Sequence, residues 1–391
     1  MVPESSFAAA LPELAYPARG EDAPAPELLL LNEPLAVELG LDPDWLRSDE
    51  GIDFLLGHDG GWALAYAGHQ FGQYSPLLGD GRAILLGEFS GREVQAKGTG
   101  RTQFSRRGDG RGPLDAMLRE YLISEYLHSV GVASTRGLAV LSTGRKIQRQ
   151  LVTPAGVCVR VAKSHVRVGS FELVRRNGSP ELLERLSSYA WERFPGGLSA
   201  VVSRQAQTVA QWMGIGFVHG VMNTDNCSIS GETLDFGPCA FLDAHDPGAC
   251  FSSIDVGKRY AYGRQPAMMQ WNLMRLAECL EEEIDFEPAF RAALLEVWAE
   301  KLGTSDPSEI NKWFERLALE QPDHTLAHAT MPGKNPQVIP RNEVVQRALD
   351  AALAGDLAPY LALQEVLSDP FTKPEQDYQA AASGYVTYCG T

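Results

Sequence analysis

The stretch HGVMNTDNCSISGETLDFG, residues 219–237, decides the fold. Its Ser230-Gly231 pair predicts a two-residue hairpin turn, and that turn would place Asn226 opposite Asp235. Side chains paired on one face of a hairpin lie about 5 Å apart at Cβ, so a carboxamide and a carboxylate can share one hard divalent cation. The pattern therefore predicts a metal site at Asn226 and Asp235. The alternative is an Asx-rich hairpin that only satisfies backbone groups.

A second hairpin supplies a candidate lysine. Residues 83–97 read as two strands around Ser90-Gly91, and Lys97 ends the second strand. Glu120 lies 23 residues later, on a predicted helix. Protein kinases hold nucleotide phosphates with a strand lysine oriented by a helix glutamate, and bind magnesium through an Asn and the Asp of Asp-Phe-Gly. The spacing leaves two interpretations open. Lys97 and Glu120 either form such an ion pair at a nucleotide site, or they are two separate side chains exposed to solvent.

Glycines and arginines surround this lysine. The tetrapeptide GDGR occurs at residues 79–82 and again at 108–111. Glycines let backbone N–H groups approach an anion closely, and arginines match phosphate oxygens with a planar fork. In the strand 157–161 the valines share one face, so Arg160 points to the other. Arg160 and Arg167 either complete a cationic pocket or form surface salt bridges.

Composition limits the partners. The chain has 391 residues and a formal net charge of −16, which disfavours bulk nucleic acid and anionic membranes as partners. No apolar run reaches the roughly 18 residues of a membrane span, and the N-terminus lacks the features of a signal peptide. Six cysteines without a Cys-x-x-Cys pair indicate neither a disulfide scaffold nor a structural zinc site. The expected location is the cytoplasm.

The order of elements predicts an α+β protein with two lobes and a cleft between them. Strands and one helix come first, and the pattern then turns mainly helical. Long helical stretches are predicted over residues 267–300 and 341–365. We expect residues 1–165 to hold an N-terminal extension and the first lobe. Residues 166–391 would form the helical second lobe and its tail, within one continuous catalytic unit.

Several longer motifs resemble the selenoprotein O family. They are AYAGHQFG at 65–72, GDGR at 79–82, KGTGRT at 97–102, GDGR at 108–111, HGVMNTDN at 219–226 and WNL at 271–273. The likeness runs from near residue 27 to the last residues. It implies a pseudokinase with a protein-kinase-like fold and a nucleotide cleft between its lobes. It also implies a protein adenylyltransferase that moves AMP from ATP onto Ser, Thr or Tyr hydroxyls of proteins, itself included, with the ATP inverted relative to ordinary kinases.

The resemblance assigns roles to matching residues. Lys97 looks like the phosphate-binding lysine, Glu120 like its ion-pair partner, and Asn226 and Asp235 like ligands of Mg²⁺ or Mn²⁺. Eight residues of this chain match ATP-binding positions of the family. They are Gly79, Gly81, Arg82, Asp109, Gly110, Arg160, Arg167 and Asp235, the last of which would also bind the metal ion. Asp225 matches the proposed proton acceptor. The chain has no His-Arg-Asp tripeptide, so the sequence leaves open whether Asp225 takes the proton or only orders its loop.

Two cysteines extend the resemblance. Cys389 matches the position at which some family members carry selenocysteine, and a reversible disulfide with Cys250 would tie the tail to the active-site lobe. The alternative is two free thiols in a reducing cytosol. This chain is shorter than typical members and differs from them at residues 112–115. Two other functions stay open: γ-phosphate transfer by a divergent kinase, and a non-catalytic nucleotide-binding scaffold.

Overall fold

An antiparallel sheet dominates the first part of the chain. The computed structural model describes residues 4–374, 378 and 385–387. The sheet has the order β1-β3-β6-β7-β10-β9-β2, and β8 pairs with β10. Two short two-stranded sheets, β4-β5 and β11-β12, lie apart from it. The strands are β1 (Ala15–Ala18), β2 (Glu27–Leu31), β3 (Gly61–Leu64), β4 (Gly68–Gln70), β5 (Gln73–Ser75), β6 (Ala83–Phe89), β7 (Arg92–Lys97), β8 (Gly112–Pro113), β9 (Arg136–Gln148), β10 (Val152–Ala162), β11 (Phe217–Val218) and β12 (Ala240–Phe241).

The predicted hairpin at residues 83–97 is confirmed. Strands β6 and β7 pair antiparallel, and Ala83 lies opposite Lys97. Ser90 and Gly91 form the turn with φ values of 47° and 71°. Positive φ at both central residues is typical of a type I′ turn, whose twist matches that of the paired strands. The hairpin therefore carries Lys97 to the end of the sheet at which β10 brings Arg160.

From residue 168 onward the described elements are mainly helical, as the sequence predicts, but five helices rather than the expected one precede that point in the described residues. The helices are α1 (Ser6–Ala10), α2 (Glu33–Glu38), α3 (Pro43–Leu46), α4 (Asp49–Leu55), α5 (Leu114–Ser129), α6 (Val168–Asn177), α7 (Pro180–Arg193), α8 (Gly197–Ile215), α9 (Gln265–Leu280), α10 (Phe286–Leu302), α11 (Pro307–Glu320), α12 (His324–Ala329), α13 (Asn342–Leu353) and α14 (Ala358–Ser368). Three short 3₁₀ turns cover Pro12–Leu14, Thr224–Asn226 and Tyr262–Arg264. The α+β class is confirmed.

Each predicted long helical stretch is two helices. The stretch 267–300 breaks after α9, where Glu281 takes the left-handed conformation with φ 59°. The stretch 341–365 breaks after α13, where Gly355 has φ 94°. A left-handed residue ends a helix because it turns the chain away from the helix axis.

The sheet is buried on both faces. Apolar side chains of α2, α3 and α4 pack against one face, which includes Val94, Ala96 and the valines of β10. The opposite face packs on α5 and shares a core with α6, α8 and α9. Because α5 is held between the sheet and the later helices, Glu120 has a fixed position relative to both. No helix in the described part of the chain is long and apolar enough to cross a bilayer.

Candidate active site

An open cleft of about 630 Å³ lies where the sheet meets the segments around residues 225 and 235. The sequence-predicted residues that line it are Gly79, Gly81, Arg82, Lys97, Asp109, Gly110, Arg160, Asp225 and Asp235. Glu120 and Arg167 are buried, with 3% and 1% of their surfaces exposed, and support lining residues. The fold thus brings most of the predicted site residues into one cavity.

Lys97 and Glu120 form the predicted ion pair. The Nζ atom of Lys97 lies 2.6 Å from Oε2 of Glu120 and also contacts the carboxylate of Asp235. Burial lowers the pKa of Lys97 to about 8, although the charge of Glu120 opposes that shift. Burial alone would raise the pKa of Glu120, but the charges of Lys97 and Arg160 outweigh it and lower that pKa. Both groups are therefore largely charged at neutral pH.

Arg160 completes this buried cluster. Its Nη1 atom lies 2.9 Å from Glu120 and 3.4 Å from Asp235. Its Nε and Nη2 atoms donate to Oε1 of Gln95 at 2.9 and 2.7 Å. Gln95 was not among the residues predicted for the site. The available signal was alternation, because Gln95 and Lys97 share one face of β7 while Val94 and Ala96 point into the apolar layer on the other.

The cleft is cationic although the chain is acidic. Its lining carries seven cationic side chains, which are Arg82, Lys97, Arg106, Arg107, Arg111, Arg149 and Arg160. The lining carboxylates are four, namely Asp80, Asp109, Asp225 and Asp235. A positive excess inside a chain of net charge −16 concentrates attraction for a polyanion at one place.

Asp109 is held by an arginine that the sequence analysis did not single out. Arg149 donates from both terminal nitrogens to the Asp109 carboxylate, at 2.9 and 2.8 Å. This hydrogen bonding is the main cause that lowers the pKa of Asp109. Arg149 lies at the turn between β9 and β10, 40 residues from Asp109, and a local pattern does not reveal so distant a pair. The pair fixes the loop 98–112 over one end of the cleft.

Gly79 occupies a position that a side chain would disrupt. Its φ is 61°, and a Cβ there would lie 2.3 Å from the ring of Phe104. The Phe104 ring, which also lines the cleft, therefore packs directly on the Gly79 backbone. Such close approach brings the loop 98–112 down onto residues 79–82 and is the physical reason for glycine here.

The predicted register of the second hairpin is wrong by one residue. Cys227 pairs with Thr233 rather than with Leu234, so Asn226 does not fall opposite Asp235 in a regular ladder. Side chains replace the expected turn: the Ser230 N–H donates to Ser228 Oγ and the Glu232 N–H to Ser230 Oγ, each at 3.2 Å. These local side-chain bonds compete with strand pairing.

Neighbouring elements also fix this segment. The Thr135 N–H donates to the Thr233 carbonyl at 3.0 Å, and Ser228 pairs with Arg167. Such long-range partners determine the register here. The Ser-Gly turn pattern carries no information about them, so it could not predict the register.

Asp225 lies at the wall of the cleft with 9% of its surface exposed. Burial raises its pKa to about 6, and the charge of Arg167 only partly opposes that shift. Within the described residues, its Oδ1 atom is buried and has no hydrogen-bond partner. Arg167 donates to the Asp225 backbone carbonyl at 3.0 Å and stacks on the ring of Tyr66 at 4.2 Å. Arg167 therefore supports Asp225 from beneath the cleft.

Carboxylate and amide oxygens are ligand types that suit a divalent cation, and of the two predicted ligands Asp235 lines the cleft whereas Asn226 is not among its lining residues. Asp235 faces the cleft with φ 69°, a strained conformation that Asp tolerates better than most residues. The Asn226 amide nitrogen donates to the Val221 carbonyl at 3.1 Å, which leaves the amide oxygen as an acceptor. In the described ranges, no three His, Cys, Asp or Glu side chains cluster for metal binding. Phosphate oxygens would have to complete the coordination of a metal ion held by this pair.

Cys250 forms no disulfide with another described cysteine, and its thiol lies 3.4 Å from a carboxylate oxygen of Asp255. Burial is the main cause that raises its pKa to about 11. Cys389 lies outside the described residues, so the predicted Cys250–Cys389 pairing stays a prediction. The nearest described part of the tail, Thr387, pairs with Ser252 and donates from its hydroxyl to the Pro238 carbonyl at 2.8 Å.

Comparison with known proteins gives consistent matches. Residues 4–304 match the family described as Protein adenylyltransferase SelO. A protein nucleotidyltransferase YdiU of Pseudarthrobacter chlorophenolicus is 43% identical, over 98% of this chain and 97% of that protein. Proteins of the same name from Mycolicibacterium smegmatis and Corynebacterium efficiens are 42% and 41% identical, over 99% of this chain and 98% and 96% of theirs.

These matches identify an enzyme of the nucleotidyltransferase class. Within that class, the chain belongs to the SelO family of protein adenylyltransferases. The resemblance seen in the sequence motifs is confirmed. The alignment with the Pseudarthrobacter protein extends over 481 positions, more than the 391 residues here, so the shorter length noted from the sequence reflects segments that the relative has in addition.

Proposed function

We propose that this cleft binds ATP with Mg²⁺ or Mn²⁺ and transfers AMP to Ser, Thr or Tyr hydroxyls of proteins, with self-modification among the products. The observation that carries this proposal is the buried Lys97–Glu120–Arg160–Asp235 cluster inside a cationic cleft. Buried cations of this kind stabilise the charge of a polyphosphate leaving group. A cytoplasmic location goes with the proposal.

The reaction needs a proton acceptor and a leaving group. The acceptor hydroxyl oxygen bonds to the α-phosphorus, the bond from that phosphorus to the bridging oxygen breaks, and pyrophosphate leaves. Asp225 takes the hydroxyl proton, and its raised pKa of about 6 makes it a stronger base than an ordinary aspartate. Lys97, Arg160 and Arg82 hold the phosphates. A bound divalent ion, held by Asn226 and Asp235, would supply Lewis-acid stabilisation of phosphate charge.

The architecture supports a protein-kinase-like fold as part of this proposal. Lys97 lies on β7, and Glu120 lies on the first helix that follows, with Asp235 in an Asp-Phe-Gly sequence. Kinases place a lysine, a glutamate and a metal-binding aspartate in this order. Residues 1–165 would form one lobe and residues 166–391 the other, with a tail whose redox pairing through Cys250 and Cys389 tunes activity.

Label position tests the reaction. ATP labelled at the α-phosphate should label the chain itself or an added unfolded protein, and ATP labelled at the γ-phosphate should label neither. Transfer of the γ-label alone would indicate an ordinary kinase. Bound ATP without transfer of either label would indicate a non-catalytic scaffold.

A further inference from the structure

The motif at residues 65–72 contributes Tyr66 and Gln70 to the cleft lining, and it also lies against the segment that carries the proposed proton acceptor. The backbone N–H of His69 donates to Thr224 Oγ1 at 2.7 Å. The backbone N–H of Phe71 donates to Asn223 Oδ1 at 3.2 Å. The loop between β3 and β6 is therefore joined directly to the two residues that precede Asp225.

A closed hydrogen-bonded ring forms at this junction. The Thr224 hydroxyl donates to Oε2 of Glu172 at 2.5 Å, and the other carboxylate oxygen of Glu172 contacts Nδ1 of His69. The exposed fractions of His69, Glu172 and Thr224 are 8%, 2% and 0%. A ring of charged and polar groups at such burial is rigid, because breaking one bond leaves another group unsatisfied.

The same loop approaches the Asp225 carboxylate itself. A Cβ at Gly68 would lie 2.5 Å from Asp225 Oδ1. That oxygen is buried and has no hydrogen-bond partner within the described part of the chain, and the residue that carries it lines the cleft. The Gly68 backbone thus limits how far the carboxylate can move on that side.

We propose that His69 and Glu172 are positioning residues of AMP transfer, which hold Thr224 and thereby fix the Asp225 carboxylate for the acceptor hydroxyl. This inference rests on the proposed function, since it takes Asp225 as the proton acceptor. Neither His69 nor Glu172 lines the cleft, so both act through the Thr224-Asp225 backbone.

The effect should lie in the rate of transfer rather than in ATP binding. Glu172→Gln keeps the size of the side chain but removes its charge and one acceptor. We expect the maximal labelling rate to fall about 10- to 100-fold, the loss typical of a misplaced reacting group. The ATP concentration at half-maximal rate should change less than about twofold, because Glu172 does not contact the cleft.

A double variant separates positioning from general structural damage. In an Asp225→Asn background, Glu172→Gln should cause no further loss, because a residue that acts only through Asp225 has nothing left to position. If the rate losses of the two single variants multiply in the double variant, the proposal is wrong. Thr224→Ser should retain most of the rate and Thr224→Val should lose it, so equal rates for these two variants would also contradict the ring's role.

Glu93→Gln is the matched control. Glu93 and His165 form another buried His–Glu pair, and each has 1% of its surface exposed. The His165 Nδ1 atom lies 3.0 Å from Oε2 of Glu93. The control should lose thermal stability comparably and keep its labelling rate. A rate loss in Glu93→Gln equal to that in Glu172→Gln would overturn the proposal.

Failure of the two proposals would look different. If the wild type transfers no α-label, or if Asp225→Asn keeps the full rate, the proposed function or its proton acceptor is wrong. If Asp225→Asn strongly lowers the rate of transfer while Glu172→Gln leaves it unchanged, only the positioning role is wrong.

Discussion

Lys97 illustrates at the residue scale how burial and charge define a functional group. Taking a lysine out of water is unfavourable, and the pKa of about 8 reflects that cost. The residue stays charged because Glu120 and Asp235 lie beside it. If a metal ion and phosphates drew Asp235 away, Glu120 would still hold the ammonium in place.

Lys97→Met should therefore remove function without unfolding the chain. Glu120 keeps its contact with Arg160 at 2.9 Å, so no buried carboxylate is left unpaired. We expect AMP transfer to fall by at least about 100-fold, as when a charge-stabilising donor is removed. Labelling rates and a thermal melt check this, and a near-normal rate would show that Lys97 does not hold the phosphates.

Asp235→Asn is the sharper test of the metal site. Asn tolerates the left-handed conformation at φ 69°, whereas Ala there adds backbone strain. The neutral amide is a weaker ligand for a hard cation. The Mg²⁺ concentration needed for half-maximal transfer should rise by about tenfold or more, a shift equal to about 1.4 kcal/mol. If the Mg²⁺ concentration for half-maximal transfer is unchanged, Asp235 is not a ligand of the metal ion.

At the element scale, local signals predicted some elements and missed others. The β6–β7 hairpin was predictable because alternation and the Ser-Gly turn act within 15 residues. The 227–233 segment was not, because Ser228 and Ser230 bond their own backbone and Thr233 bonds residues near 134. Arg149 and the ring around Glu172 were missed for the same reason, since their partners are distant in sequence.

A glycine comparison tests the loop over the cleft. Gly79 and Gly91 both have positive φ, but a Cβ at Gly91 would meet nothing within 4 Å. Gly91→Ala should cost only about 1–2 kcal/mol of unfolding free energy for its conformation. Gly79→Ala should cost about 1–3 kcal/mol more, because its methyl group overlaps Phe104.

Denaturant unfolding measures both glycine variants, and ATP binding should weaken only in Gly79→Ala. Equal stability losses, or unchanged ATP affinity in Gly79→Ala, would contradict the close packing of loop 98–112 on residues 79–82.

At the scale of the whole molecule, charge is distributed unevenly. The chain carries −16 overall, yet seven cationic side chains line one cleft against four carboxylates. Composition disfavoured a bulk polyanionic partner. It could not reveal this local excess, which arises only when β6, β7, β10 and two loops converge. Similarity to known proteins identifies the family, and the fold explains why the cationic side chains lie together in one cleft.

Salt should therefore weaken the binding of ATP to the cleft but leave the binding of adenosine unchanged. Raising the salt concentration from about 0.1 M to 1 M shortens the screening length from about 10 Å to 3 Å. The Kd for ATP should rise several-fold, while the Kd for uncharged adenosine should stay constant. Equal salt responses of the two ligands in titration calorimetry would mean that the cationic lining does not bind the phosphates.

The most direct measurement is a crystal structure with a non-hydrolysable ATP analogue and Mg²⁺. We expect the metal ion to be bound by the Asn226 amide oxygen and the Asp235 carboxylate, the terminal phosphates to lie beside Lys97 and Arg160, and the α-phosphorus to face Asp225. A γ-phosphorus facing Asp225, or a nucleotide bound outside this cleft, would contradict AMP transfer at this site.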